Sequence, residues 1–397
     1  MTLLITTLDT ETGVHNIGDD RVGKMKAAPW HPSNHIVHYG DKSITEEEVE
    51  VHAGGTFSWD KPAKPLLLVG QNIKFDVHYM MKDIKGFRDN VWPMCQLWDT
   101  QLAEYILTGQ VKQYANLDGL SEKYGGTLKD DQCKDFWDEG VMTEDIPNEI
   151  IIPYLKNDVL NTEIVFKAQY QKAKELGMLE LIKVQMTALK ATTEMEWNGM
   201  HFDKEIAKKY AIELGDLKYE AASVCDMEAQ TLFPHEFWEN HWNMGSTAHV
   251  ATALFGGEYK YKAQRPILDE DGNTTAYKSG VKKGQVKQKN TEIVEYTTGY
   301  RLKVKEKYKT AKGKISTSDA VLKDILKDPV PVGCAEFINA LLDYRKYTKD
   351  ISTYFKGYSD LVWHDGLIHH SLSHVGTDTG RLSSSKPNLQ NVSGKEE

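Results

Sequence analysis

The start of the chain has the pattern of a buried strand. Residues 3–9 (LLITTLD) are apolar and β-branched up to a final carboxylate, which predicts a strand whose end opens onto a site. Further strands are predicted at 36–39 and 66–69, and helices from about 73, over 99–108 and over about 151–175. Strands mixed with helices predict an α/β layer architecture for residues 1–180.

Beyond residue 180 the apolar spacing becomes helical. Residues 181–197 predict one helix, and Asp203 is a good N-cap for a second helix over about 204–230. Ser316 and Asp319 resemble a capping box. The remaining predicted helices cover about 317–327 and 335–358. This part of the chain is therefore predicted to be mainly α.

Two segments break the helical pattern. Residues 258–314 alternate Tyr, Thr, Val and Lys between glycine-bearing turns, which predicts β-hairpins or a partly mobile insert. Asp365-Gly366 separates LVWH from LIHHSLSH, a pattern typical of a hairpin.

Composition excludes several classes of protein. A chain of 397 residues fits two domains or slightly more. No apolar run reaches the roughly 18–20 residues that span a bilayer, so no membrane partner is expected. The N-terminus does not resemble a signal peptide, and the four cysteines form no C-x-x-C pair. A cytoplasmic location is expected.

Charge is unevenly distributed within the net charge of −10. Residues 1–180 contain 18 Lys and Arg against 29 Asp and Glu, whereas the insert at 258–314 contains 15 against 7. A basic insert attracts a phosphate backbone, and an acidic surface repels one unless cations intervene.

Three carboxylate patterns stand out in the acidic half. Asp9 and Glu11 are two apart on a predicted strand and so share a face, where a divalent cation would relieve their repulsion. Asn72 and Asp76 are four apart, as are Tyr154 and Asp158, and each pair would share a helix face. Taken singly, each pattern is more often an ordinary strand end or a solvated helix face.

Together and in this order, the three patterns resemble the exonuclease motifs of the DEDD superfamily, and the tyrosine marks its DEDDy branch. The resemblance implies a ribonuclease H-like mixed sheet and a 3′→5′ exonuclease that uses two Mg²⁺ or Mn²⁺ ions. It further implies that Asp9 bridges both ions, with Glu11 and Asp158 on the ion that activates water. Asp76 would hold the second ion, largely through water, and Tyr154 would orient the attacking water. Asn72 is expected to contact DNA.

A second long motif lies near the C-terminus. Residues 377–392 (TDTGRLSSSKPNLQNV) resemble the segment that begins the palm of family A DNA polymerases, the bacterial polymerase I and phage replicative type. The resemblance implies contacts with primer–template DNA. The residues expected to make them are Arg381, Ser383, Ser384, Ser385, Lys386, Asn388 and Gln390.

Shorter segments extend this resemblance to the thumb. Residues 195–203, 243–257, 315–325 and 341–354 resemble the thumb of the same family. Arg345, Lys346 and Lys349 would then face the duplex backbone, although a solvated helix face explains them equally well. The predicted domains are an exonuclease domain at 1–180, a thumb region at 181–360 that carries the insert, and the start of the palm at 361–397.

The palm carboxylates and fingers of this polymerase family have no counterpart in the sequence. We therefore expect either a polymerase split into two polypeptides, as in a phage genome, or a truncated sequence. In the first case the partner is a second chain carrying palm and fingers, and the location is the host cytoplasm. For the insert, duplex clamping or docking of a helicase or processivity factor competes with a solvated, mobile hairpin.

The leading hypothesis is the proofreading and primer–template-binding part of a phage-like family A DNA polymerase. One alternative is a free-standing DEDDy exonuclease that trims RNA or DNA ends. Another is a non-catalytic DNA-binding subunit. Intact Asp9, Glu11, Asp76 and Asp158 argue against the second alternative.

Overall fold

The chain folds into two compact units. The computed structural model describes residues 3–15, 27–54, 58–127 and 132–392. The first unit comprises Met1–Phe202 and Tyr358–Glu397, and the second comprises Asp203–Gly357. The functional boundaries near residues 180 and 360 stay predictions, because compactness does not say which segment is thumb or palm.

A mixed five-stranded sheet forms the centre of the first unit. Its strands are β1 (Leu4–Gly13), β2 (His35–Ser43), β3 (Glu50–Ala53), β4 (Leu66–Gly70) and β5 (Cys95–Asp99). Their order is β3-β2-β1-β4-β5. β1 runs parallel to β4 and antiparallel to β2, and β5 runs parallel to β4. The predicted mixed sheet with helices is confirmed.

Helices cover this sheet. They are α1 (Lys74–Asp83), α2 (Thr100–Leu107), α3 (Leu117–Tyr124), α4 (Gln132–Asp138), α5 (Asn148–Glu175) and α6 (Leu179–Asn198). Short helical turns lie at Phe87–Val91, Trp92–Met94 and Thr143–Asp145. All five residues of β4 are buried, as expected for a parallel strand covered on both faces.

Asp99 explains why α1 and α2 begin where they do. Its buried carboxylate accepts hydrogen bonds from the backbone N–H groups of Leu102 and Ile73, both at 3.0 Å. It therefore caps α2 and holds the turn that precedes α1. Burial raises the pKa of this carboxyl, and these backbone bonds oppose the shift.

The second unit is mainly helical with one long hairpin. Its elements are α7 (Lys204–Leu232), α8 (His235–Asn240), α9 (Thr247–Phe255), β7 (Gly257–Pro266), β8 (Gln288–Thr297), α10 (Asp319–Ile325) and α11 (Cys334–Lys349). Short turns lie at Glu306–Tyr308 and Asp350–Lys356, and a last helical turn covers Gly357–Ser359. Asp203 caps α7 as predicted, accepting from the N–H groups of Glu205 and Ile206 at 3.0 and 2.9 Å.

One local prediction in the second unit was wrong, and one helix differs from its prediction only in its hydrogen-bonding pattern. The capping box at Ser316 and Asp319 does not form, since Ser318 is the N-cap of α10 and makes no side-chain cap bond. The Asp319 carboxylate instead lies 3.4 Å from the Arg345 guanidinium. The predicted helix over 335–358 is confirmed: it is α-helical over Cys334–Lys349, π-helical over Asp350–Lys356 and ends in the helical turn Gly357–Ser359.

The C-terminal segment makes a turn at Asp365-Gly366, but its strands pair elsewhere. The Asp365 carboxylate accepts from the Leu367 N–H at 3.0 Å, and Gly366 has a φ of +83°. The strand that follows, β9 (Leu367–Ile368), pairs with β6 (Met200–His201). β10 (Ser371–Ser373) pairs with β11 (Ser383–Ser385). The predicted turn is confirmed, since the Trp363 N–H donates to the Leu367 carbonyl at 2.8 Å, but the segments on either side do not continue as a paired hairpin.

Candidate functional site

Three of the predicted carboxylates converge on one point. Asp9 and Glu11 lie on β1, and Asp158 lies on α5. One carboxylate oxygen from each residue lies within 4.8 Å of those of the other two. Glu11 and Asp158 are buried, with exposed fractions of 8% and 4%, and Asp9 is half-buried.

A glycine opposite Asp9 lets α5 approach the sheet. Gly40 on β2 is the cross-strand partner of Asp9. A Cβ on Gly40 would lie 3.1 Å from the Leu155 side chain and 3.3 Å from that of Val159. Both side chains are fully buried and flank Asp158 on α5. The bare backbone at Gly40 therefore sets how close Asp158 comes to β1.

A buried ion pair holds α5 against the same strand. Lys42 Nζ on β2 lies 2.6 Å from Glu163 Oε2 on α5, and both side chains are less than a tenth exposed. Losing Glu163 would leave Lys42 as an uncompensated buried charge, which costs about 3–5 kcal/mol, whereas Glu163 is also paired with Lys167 at 2.5 Å. The pair therefore favours one position of α5, and with it one position of Asp158.

The electrostatics of the cluster favour a cation. Two ionised carboxylates at this separation repel each other by about 3–4 kcal/mol at an effective dielectric constant of about 20. Hard oxygen donors at this spacing are the ligands that Mg²⁺ and Mn²⁺ prefer. The side chains present therefore fit a divalent cation.

Asp76 lies on α1, outside the group of three. Its carboxylate accepts a hydrogen bond of 2.6 Å from the Thr10 hydroxyl, and Thr10 stands between Asp9 and Glu11 on β1. Burial raises the pKa of Asp76 to about 7, and the hydrogen bonds from Thr10 oppose that shift. Thr10 thus links the second predicted motif to the first. The sequence indicated this role of Thr10 only through its position between Asp9 and Glu11.

Tyr154 and Asn72 each lie four residues before a predicted carboxylate ligand, on α5 and just before α1. Tyr154 is half-buried on α5 and packs edge-on against Trp137, with ring centroids 5.7 Å apart. Asn72 precedes α1 with a φ of +54°. A cavity of about 390 Å³ is lined by Asn72 and by Lys386 of the C-terminal motif. Residues from the two predicted motifs therefore meet around one cavity.

The other residues of the C-terminal motif divide into exposed and internally bonded groups. Arg381 and Lys386 are exposed. The Ser384 hydroxyl is buried, donates to the Pro387 carbonyl at 3.2 Å and accepts from the Leu389 N–H. The Asn388 Oδ1 accepts from the Gln390 N–H, and the Gln390 Nε2 donates to the Leu382 carbonyl. Ser383 and Ser385 lie on β11. Their DNA contacts stay predictions.

In the second unit, the three predicted cations on α11 differ in availability. The Arg345 guanidinium donates to the Thr317 carbonyl at 2.6 Å and pairs with Asp319. Lys346 and Lys349 are exposed and form no ion pair with the described carboxylates. Their contacts with a duplex also stay predictions.

A buried network that sequence reasoning missed anchors the C-terminal segment. Lys74 Nζ donates to Glu196 Oε1 and to the Leu372 carbonyl, both at 2.5 Å. Glu196 also accepts from the Leu372 N–H at 2.5 Å, and its carbonyl accepts from His369 Nδ1 at 2.7 Å. Nothing in the sequence separates the buried Glu196 from the exposed Glu180 or the half-buried Glu194 of the same helix.

Two family models match the chain. Residues 42–169 match the model described as 3′-5′ exonuclease, a range that includes Asp76, Tyr154 and Asp158 and begins after Glu11. Residues 235–397 match the model described as DNA polymerase family A. None of the helices in the described residues is long and apolar enough to cross a bilayer.

Several curated proteins are similar to the chain. DNA polymerase I of Pseudomonas aeruginosa is 24% identical over 336 residues, which cover 82% of this chain and 29% of that protein. The thermostable DNA polymerase I of Thermus aquaticus is 44% identical over 81 residues, covering 20% of this chain and 9% of that protein. The chain thus spans less than a third of the length of these relatives.

A solved structure shows the same fold. It is described as the POL domain of Pol1 from M. smegmatis in complex with DNA primer-template and dNTP. The match has a TM-score of 0.61 at 17% identity and covers 100% of this chain and 53% of that one. The two family models together show that the chain has a 3′→5′ exonuclease domain followed by a region of DNA polymerase family A, which fits a portion of a DNA polymerase I.

Proposed function

We propose that the chain removes mispaired nucleotides from the 3′ end of a primer by hydrolysing the terminal phosphodiester bond. The observation that carries this proposal is the convergence of Asp9, Glu11 and Asp158 within 4.8 Å. These carboxylates come from two elements far apart in sequence. A solvated strand end would not require that approach or the burial of Glu11 and Asp158.

Two divalent cations, Mg²⁺ or Mn²⁺, are part of the proposal. When bound, they would supply an activated water and stabilise the leaving 3′ oxygen. Asp9, Glu11 and Asp158 would hold the first. Asp76, which reaches β1 through Thr10, would hold the second together with Asp9. The buried Asp76 carboxyl must lose its proton to do so; burial raises its pKa to about 7 and so opposes that loss below this pH.

The remaining residues would bind and orient the substrate. Tyr154 lies one helical turn before Asp158 on α5, so its hydroxyl can accept or donate a hydrogen bond to the attacking water. The cavity between Asn72 and Lys386 offers an amide and a cation to a frayed strand. Arg381 is exposed and can pair with a phosphate.

Because the chain covers 29% of DNA polymerase I of Pseudomonas aeruginosa, the activities of a whole polymerase are not assigned to it. Primer–template binding by Arg345, Lys346 and Lys349 belongs to this proposal. A second chain with palm and fingers, a helicase or processivity factor, a phage source and a cytoplasmic location stay predictions.

The direct test is digestion of a 5′-labelled single DNA strand with Mg²⁺. Asp9→Ala should lower the rate at least about 10³-fold, since a metal site contributes several kcal/mol and each 1.4 kcal/mol is tenfold. Glu122→Ala on α3 is the matched control, because Glu122 is exposed and forms no described ion pair. It should digest the strand at the wild-type rate.

The same assay separates the alternatives. Undiminished digestion by Asp9→Ala would refute the site. Wild-type protein that binds primer–template DNA but never digests it would favour the non-catalytic subunit. A free-standing exonuclease would digest the strand but show no preference for a mispaired over a paired primer 3′ end.

A further inference from the structure

A second cluster of metal-ligating side chains lies in the first unit, apart from the carboxylates. It consists of His15, His35 and Glu144, whose ligand atoms lie within 4.8 Å of one another. His15 follows β1, His35 begins β2, and Glu144 lies in the turn Thr143–Asp145. We propose that these three residues form a binding site for a divalent transition-metal ion of the zinc type.

The orientation of His35 suits a ligand. Its Nδ1 lies 3.1 Å from the Ser33 carbonyl oxygen. A carbonyl oxygen only accepts, so Nδ1 must carry the proton and Nε2 is left with its lone pair. Histidines that bind metals commonly donate their other N–H to a backbone carbonyl in this way. His35 therefore presents Nε2 toward the cluster.

The other two ligands are held close to it. The His15 and His35 rings are stacked at 5.6 Å with planes 7° apart, and His15 Nε2 contacts Glu144 Oε1. The His15 backbone is fixed by Asn34, which is fully buried and whose Oδ1 accepts from the His15 N–H at 2.9 Å. Asn34 in turn donates to the Ala28 carbonyl at 2.9 Å. Because His15 is already held in place, less conformational entropy is lost when its side chain binds an ion.

Gly13 supplies an independent indication. A Cβ at this position would lie 2.9 Å from Glu144 Oε2, 2.9 Å from His35 Cε1 and 3.2 Å from His35 Nε2. Gly13 does not have a positive φ, so its backbone conformation does not require glycine. The missing side chain instead leaves open space next to two of the three ligand groups. A simple hydrogen bond between His15 and Glu144 would explain neither this space nor the direction of His35.

The donor set selects the ion. Two imidazole nitrogens and one carboxylate oxygen suit Zn²⁺, Co²⁺ or Ni²⁺, whereas Mg²⁺ strongly prefers oxygen. Three protein ligands also leave a coordination position for water, as in sites of the His₂Glu type. The first unit would then have two sites with different preferences: the carboxylates would bind hard cations, and the histidines would bind a softer ion.

The test must separate this site from the carboxylate cluster, because Zn²⁺ can bind there as well. The full chain carrying Asp9→Asn and Asp158→Asn serves as the parent. Titration calorimetry with ZnCl₂ should give one Zn²⁺ per chain, and MgCl₂ should give no comparable binding. Cobalt(II) should produce visible absorption typical of a nitrogen-bound ion with low coordination number. This measurement does not depend on exonuclease activity.

Substitutions in that parent then identify the ligands. His35→Ala should weaken Zn²⁺ binding by more than about 100-fold, beyond the roughly 10- to 100-fold that follows loss of an outer partner. Glu144→Gln should act in the same direction. Gly13→Ala keeps all three ligands but narrows their space, so it should weaken binding about tenfold. His201→Ala and Glu149→Gln are matched controls because both residues are exposed, and neither should change the affinity.

Circular dichroism and melting in EDTA show whether each variant folds. Should His35→Ala fail to fold, Gly13→Ala and Glu144→Gln still decide the question. Zinc affinity within about threefold of the parent in all folded ligand variants would overturn the proposal. So would Mg²⁺ binding as tight as Zn²⁺ binding, or no Zn²⁺ binding by the folded parent.

Discussion

The two units differ in the sign of their charged candidate surfaces and in how firmly the charged side chains are held. In the first, Asp9, Glu11 and Asp158 are fixed by a sheet and a helix and largely withdrawn from solvent. In the second, the ten-residue strands β7 and β8 pair along their whole length and lead into an exposed lysine-rich extension. A carboxylate site needs exact distances and a cation before it can meet a phosphate, whereas lysines need only to be accessible.

The extension of the hairpin is basic in the part that follows the acidic residues Asp269, Glu270 and Asp271. Residues 272–291 contain five lysines and no Asp or Glu. These are Lys278, Lys282, Lys283, Lys287 and Lys289. None of them pairs with a carboxylate among the described residues. Lys282 and Lys287 lie 6.0 and 5.7 Å from the centre of the Tyr277 ring, so an aromatic face stands among the cations.

The stem of the hairpin is better anchored than its tip. Tyr259, Tyr261 and Ala263 alternate inward and are buried, and Lys260 and Lys262 alternate outward. The interpretation of residues 258–314 as β-hairpins is thus confirmed for the paired strands. Clamping of a duplex or docking of a protein partner stays a prediction.

Among changes that leave the carboxylates themselves intact, the largest effect should follow from altering the distance between α5 and the sheet in the first unit. Gly40→Val would place methyl groups against Leu155 and Val159 and push α5 off the sheet. Overpacking costs about 1–3 kcal/mol, and a shift of about 1 Å at a catalytic group can cost about 100-fold in rate. We expect a drop of about 100-fold in digestion of a labelled single strand by folded protein.

Val37→Ile on β2 provides the matched control. It adds one methylene to a half-buried residue of the same strand and should keep the rate within about threefold. Equal losses in both variants would show that β2 as a whole, rather than the approach of α5, limits activity.

A smaller effect should follow from removing charge in the second unit without changing its fold. Replacing Lys278, Lys282 and Lys283 by Gln should lower duplex affinity about tenfold at 0.15 M salt. The slope of log K against log salt should fall by about 1 to 2.7, since each lost phosphate contact contributes about 0.9. Fluorescence anisotropy at several salt concentrations measures both.

The matched control replaces Lys204, Lys208 and Lys209, three exposed lysines of α7, by Gln. Its net charge changes equally. If both triple variants lower the slope alike, general charge and not the hairpin governs binding. An unchanged slope in the hairpin variant would exclude phosphate contacts by its tip.

The smallest effect concerns the proton on Asp76. Its pKa is raised from 3.8 to about 7 by burial, so the folded state keeps a proton that the unfolded chain has already lost between these values. Stability from this group is therefore present below about pH 4 and is lost as pH rises through 7. In EDTA, Asp76→Asn should reduce the fall in melting temperature between pH 5.5 and 8.

For a domain of about 150–250 residues, each kcal/mol of unfolding free energy shifts the melting temperature by about 2–4 °C. Asp89→Asn serves as the control, since Asp89 is exposed near the same helix. A fall in melting temperature that is the same in wild type and Asp76→Asn would show that other groups set the pH dependence.

Local patterns were predictable from sequence where one short segment carries the whole signal. Asp203 could be identified as a cap because its carboxylate bonds to N–H groups two and three residues ahead. Ser316 and Asp319 have an equally good local pattern, yet Asp319 pairs with Arg345 from α11. Propensity cannot anticipate a partner that arrives from another part of the chain.

The same distinction applies to the candidate sites. The sequence alone determined the strand with Asp9 and Glu11, the helix with Tyr154 and Asp158, and the motif at 377–392, because period and motif are local properties. Only the tertiary structure decided that Asp158 reaches Asp9 across Gly40. It alone also brought His15, His35 and Glu144 together, since residues that far apart in sequence are joined only by packing of the sheet and its helices.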